Sequence, residues 1–149
     1  MYDFVDRPVT SLDPGGRFLV WAMRSWVHSL HGQRCPAGAI APAFARWKMI
    51  AGLPHFHTMM LLLNHEALED LSFGPLPCNR VREHEALVIS LIYGMRMSRP
   101  VAVRKTLALV VNDAAVTDLM TAVCALGRAM SDAAIFPDKP ALTSQIGGS

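Results

Sequence analysis

Charge is scarce in this chain. Only 17% of its 149 residues are charged, 14 Lys and Arg against 12 Asp and Glu, a formal net charge of +2. Average usage is roughly 25%. So small an excess lacks the basic stripe or strongly basic domain of a nucleic-acid binder, and it gives no reason to expect acidic substrates. Cysteine is sparse too. Cys35, Cys78 and Cys124 are odd in number and widely spaced, with no C-x-x-C, which argues against a zinc ribbon or a thioredoxin-type redox pair. The pattern suits a reducing compartment, and Cys124, inside an apolar helical stretch, reads as an inert core thiol. No hydrophobic run is long. The longest, 86–95, is interrupted by Ser90 and reaches about half a membrane span. The first six residues hold two acids and no basic segment, so no signal peptide is expected and the expected setting is the cytoplasm.

Apolar residues, by contrast, make up 52% of the chain, nine of them Met. A chain of this length forms one domain and can remove about 70% of its unfolded surface from water. With little charge to cover the remaining apolar surface, a further face is expected to be buried against a second copy or a partner. Self-association or membership of a larger complex follows.

Helical periodicity runs through most of the sequence. Leu19, Met23, Trp26, Val27 and Leu30 share one face of a helix over 17–31, closed by Gly32. Gln33 to Pro42 is rich in Pro, Gly and Ala and reads as a loop, followed by a second helix over 42–51. Pro54 opens a third, with Phe56, Met59, Met60, Leu63, Ala67 and Leu71 as its apolar stripe. The fourth, over 81–97, is apolar around most of its circumference and belongs in the centre of a bundle. Ser98-Arg99-Pro100 starts a fifth to about residue 111, where Val101, Val103, Val110 and Val111 make a strand the main competitor. Asn112 or Asp113 caps a sixth, to about residue 130. The expected fold is all-α: a compact bundle of five to six helices over 17–131, with an extended N-terminal arm (1–16) and a C-terminal tail (132–149).

Polar residues offer three candidate sites. Arg17, Trp21, Arg24, His28 and His31 fall on one side of the first helix, opposite its apolar face. They are the candidate binding residues for an anion or an acidic partner helix, with Trp21 as the stacking surface; the alternative is a solvated face with Trp21 covered by the arm. The second candidate is a pocket between the third and fourth helices near His65, Glu69 and His84. There His84 would be a core residue with one satisfied hydrogen bond or, beside Glu66 or Glu69, a general base. A Cys78–His84 dyad is the third and has the least behind it. No metal site is expected, since neither His-Glu-x-x-His nor paired Glu-x-x-His elements occur and His55 and His57 point to different sides. There is no G-x-S-x-G, Walker loop or dinucleotide-binding glycine pattern. A helix-turn-helix drawn from the fifth and sixth helices would present Thr117, Asp118 and Thr121 instead of Arg or Lys. No cofactor is called for, and an enzyme is disfavoured.

Arg17-Phe18-Leu19 with Arg24 in the first helix, Cys78-Asn79-Arg80-Val81, and Glu85-Ala86-Leu87 at the entrance to the central helix resemble a group of small helical proteins of unknown function from sphingomonad-type bacteria. The likeness spans about residues 17–130. It implies an intracellular bacterial helical domain and no particular activity. The functional expectation is therefore a non-enzymatic interaction module, with the arms wrapping a partner or a second copy; the alternative is a protein that binds a small molecule, metal or cofactor in the pocket between the third and fourth helices.

Overall fold

Proline and its neighbours set most of the helix starts. The computed structural model describes residues 4–97 and 99–137, and its helices are α1 (Pro14–His31), α2 (Pro36–Arg46), α3 (Leu53–Glu66), α4 (Glu83–Arg96), α5 (Pro100–Val110) and α6 (Asp113–Asp132). Proline occupies the first turn of α1, α2, α3 and α5, where its missing N–H has no intrahelical partner to lose. Asp13 caps α1 by accepting a hydrogen bond from the Gly16 N–H at 2.8 Å. Among the described residues there is no strand, only two isolated antiparallel bridges. No helix among them is long and apolar enough to cross a membrane.

Three helices stop in the same way. The N–H of Arg34 bonds the Ser29 carbonyl and that of Gln33 the Leu30 carbonyl. The same paired bonds run from Met49 to Phe44 and Lys48 to Ala45, and from Ile135 to Met130 and Ala134 to Ser131. This is the Schellman closure, whose turning residue takes a left-handed backbone. Here those residues are Gln33, Lys48 and Ala134, with φ of 59°, 61° and 60°. Gly32, expected to close α1, sits one position earlier with an ordinary φ of −84°.

The bundle is built around α4. Leu87, Val88, Ile89, Leu91 and Ile92 are all buried, and α4 packs against α1, α5 and α6, while α6 also covers α3. Trp26 is fully buried and donates its indole N–H to Nδ1 of His57 at 2.9 Å, so the largest core side chain leaves no unpaired donor. The end of α3 is tied to the α5–α6 joint by hydrogen bonds from Leu68 N to Val110 O (2.8 Å) and Asn112 N to Glu66 O (3.0 Å).

Three expectations need correction. The second helix begins at Pro36 and ends at Arg46. The Pro- and Ala-rich segment expected as a loop is therefore helical, and the exposed Pro42 is tolerated inside it. The apolar stripe of α3 stops at Glu66: Ala67 is extended (ψ 140°) and pairs with Val111, so Leu71 belongs to the following irregular segment. The N-terminal arm is not free to wrap a partner over its described part. Phe4 and Leu12 are buried, residues 6–10 hydrogen-bond along 79–81, and Pro14, Gly15 and Gly16 form the first turn of α1. Of the tail, only the residues to Pro137 are described; Asp138 to Ser149 lie outside the described residues.

After α6 the chain returns across the start of α1, and a Cβ on Gly15 would overlap the Ile135 carbonyl. Gly15→Ala is expected to cost about 1–3 kcal/mol through overpacking. Ala134→Gly should stabilise by about 1 kcal/mol, by relieving the left-handed position. Urea unfolding of the two variants against the parent measures both signs.

Candidate functional site

The most constrained polar group in the molecule is Arg24, which is buried, 3% exposed. Its Nε donates to Oε2 of Glu85 and its Nη2 to Oε1, both at 2.8 Å, in a fork-to-fork pair. Nη1 donates to the Cys78 carbonyl and Nη2 also to the Arg80 carbonyl. Glu85 accepts from the Gly74 N–H (2.8 Å) and from the Arg82 N–H (2.9 Å). The second of these satisfies a free donor at the start of α4. One ion pair thus joins α1, α4 and the irregular segment between α3 and α4. Arg24, Cys78, Arg80 and Glu85, far apart in the sequence, meet here. Every side-chain nitrogen and oxygen of the pair has a hydrogen-bond partner, so its chemistry is that of a clamp.

The binding stripe expected on α1 therefore divides. Arg24 is not available to an external anion, because its guanidinium is spent on Glu85 and two carbonyls. His28 and His31 are exposed, and His31 lines a different cavity from Arg17 and Trp21. Arg17 and Trp21 instead share a 430 Å³ notch with Phe18, Ala43, Arg46 and Trp47. Trp21 is 37% and Trp47 42% exposed, so the described part of the arm does not cover Trp21.

Of the alternative pocket, Glu69 and His84 line one cavity of 180 Å³ with Leu71, Glu83, Leu87, Thr106, Leu109 and Val110, and His65 is not among its walls. Nδ1 of the half-buried His84 accepts a hydrogen bond from the Ser72 N–H at 2.7 Å. Among the described residues no group of three or more His, Cys, Asp or Glu is placed to hold a metal ion.

A further concavity, of 710 Å³, lies outside all three candidate sites read from the sequence. It runs along the outer face of α6, from Thr117 to Asp132. Met95, Met120, Ala125 and Ala129 are half-buried along it, and the exposed Lys48, His55, Arg104 and Arg128 rim it, with Asp132 as its one acid. Cys124 lines this trough and is exposed, which corrects its reading as a core thiol. The rim comes from the turn after α2, the start of α3, and α5 with α6. The available signal was the repetition of Thr117, Thr121, Cys124 and Arg128 on one side of α6.

No family model matches the chain, and no curated protein or solved structure matches it.

Two outcomes follow from the clamp. Arg24→Met or Glu85→Leu alone should cost about 3–5 kcal/mol, because each leaves a buried charge unpaired, and the double replacement should cost less than the two singles combined. A double-mutant cycle by urea unfolding reads this. Cys78 sits beside the pair, and its backbone hydrogen bond with Arg80, the Arg82 side chain and the positive charges of Arg24 and Arg82 outweigh partial burial and hold its thiol below the usual cysteine value. A lowered value means more thiolate at neutral pH. Iodoacetamide at pH 7 should therefore modify Cys78 ahead of Cys35 and Cys124, with an onset displaced to the acid side in a pH series read by peptide mass spectrometry.

Proposed function

We propose that this chain is a non-enzymatic interaction module whose trough on α6 receives an acidic amphipathic helix from a partner protein. The trough itself is the observation that carries the reading: an apolar floor that includes two methionines, rimmed by four cationic or titratable basic side chains against one acid. Methionine adapts to differing apolar surfaces. Among the described residues Arg104 bonds only Thr117 Oγ1, at a long 3.4 Å, and no ion pair occupies Lys48 or Arg128. Fifteen steps of α6, at 1.5 Å each, give the trough a length of about 22 Å. A partner helix of about four turns matches that length, with its apolar face on the methionines and its acids on the rim. Such a complex would cover the apolar excess that a weakly charged chain leaves exposed.

The rival reading, a ligand or cofactor pocket between α3 and α4, has less behind it. Its three residues do not line one cavity, and the volume near Glu69 and His84 is small. Three free cysteines fit a reducing setting, which supports a cytoplasmic protein.

The test uses the full chain with Cys35 and Cys78 replaced by Ser, and a labelled helical peptide of about four turns with leucines at i, i+3, i+4 and i+7 and glutamates elsewhere. The peptide should bind with an affinity that falls as salt rises, should slow alkylation of Cys124, and should lose about tenfold or more in affinity when Arg104 and Arg128 are both changed to Glu. Equal binding of a scrambled peptide of the same composition, or indifference to the double reversal, would remove the trough as the docking surface.

A further inference from the structure

Two half-exposed tryptophans and two free guanidiniums around one small notch are unusual in a chain with so little charge. α1 supplies Arg17, Phe18 and Trp21; the last turn of α2 and its C-cap supply Ala43, Arg46 and Trp47. Phe18 is buried between the elements. Its ring centre lies 6.2 Å from that of Trp21, 5.5 Å from that of Trp47 and 4.8 Å from that of Phe44, the last pair edge-on. Phe44 in turn contacts Phe56. The aromatic floor is thus held by the core, while both indoles keep more than a third of their surface in water. Neither Arg17 nor Arg46 has a hydrogen bond or ion pair among the described residues. The Schellman turn at Lys48 fixes where the chain leaves α2, and with it the position of Trp47.

We infer that this notch is a binding site for a planar aromatic anion, a fused ring system bearing a carboxylate, sulfonate or phosphate. Indole faces stack on flat rings, and guanidinium forks pair with planar oxyanions. The 430 Å³ volume falls within the range of small-molecule sites, about 300–1,000 Å³, and suits a two-ring ligand. The inference does not depend on the trough: α4, α5 and α6 contribute nothing to the notch, and no notch residue lines the trough.

The structure contains its own reference signal. Of the three indole N–H groups, that of Trp26 is buried and donated to His57, while Trp21 and Trp47 belong to the notch. Titrating the full-length chain with 2-naphthoate, followed by proton–nitrogen correlation spectra, should shift the Trp21 and Trp47 indole resonances saturably and leave that of Trp26 in place. Arg17→Gln and Arg46→Gln should each weaken binding about tenfold, the loss of one charge-assisted contact. Trp47→Leu should abolish the response with the Trp26 resonance unmoved, which shows that the fold has survived. Equal affinity for the neutral 2-naphthalenemethanol would overturn the proposal, since the notch would then be an apolar patch only. An equal response to acetate would also overturn it, as would insensitivity to both arginine variants or the absence of any saturable shift.

Discussion

The Arg24–Glu85 pair is the constraint on which the rest of this molecule depends. Taking both charges out of water is costly, and the cost is recovered only when every remaining donor and acceptor is satisfied with good geometry. Arg24 therefore needs two carbonyls from the segment before α4 as well as the carboxylate, and Glu85 needs the N–H groups of Gly74 and Arg82. That requirement gives the irregular segment between α3 and α4 a defined path without secondary structure. It also explains Gly74, where a Cβ would stand 2.9 Å from Nη2 of Arg24. A backbone that must approach a guanidinium this closely leaves no room for a side chain.

The same pair decides which surfaces remain for recognition. By drawing Arg24 inwards it splits the polar side of α1, and the residues on either side of it take different neighbours. Arg17 and Trp21 join the end of α2; His31 turns to the cavity near Glu69 and Phe73. Arg17 and Arg46 border the notch, and Lys48, Arg104 and Arg128 border the trough. A formal excess of +2 thus understates how uneven the surface charge is. Recognition by this molecule is a matter of local charge beside exposed apolar side chains.

Much of the fold was legible because apolar periodicity and proline punctuation agree along most of the chain. The interior of α4 shows this best: it has apolar residues on nearly all sides and lies at the centre of the bundle. The β-branched stretch of α5 stayed helical because Val103 and Leu107 face the core and Pro100 starts the helix. Where local signals conflicted, tertiary context decided. Pro42 drew the second helix too far along the chain, although Cys35 and Pro36 form a serviceable start, and that displacement hid Trp47 as a C-cap residue. Arg24 could not be recognised as buried because its partner is 61 positions away. One clue was present, since Glu85 is an acid in the first turn of a helix that is otherwise a core element. The far rim of the trough was illegible for a related reason: it is assembled from separate segments, and nothing in the spacing of Lys48, Arg104 and Arg128 relates them.

The separation between the clamp's partners has a kinetic meaning. Local pairs such as α5 and α6, joined through two residues, close small loops and can form early. The contacts of Arg24 with Cys78, Arg80 and Glu85 close loops of 54 to 61 residues, a larger entropic cost that must be met before any hydrogen bond repays it. A half-closed clamp gains nothing, since a guanidinium stripped of water without its carboxylate is worse than one left in solvent. The clamp therefore closes as a unit, on top of the cooperativity that the continuous hydrophobic core already supplies.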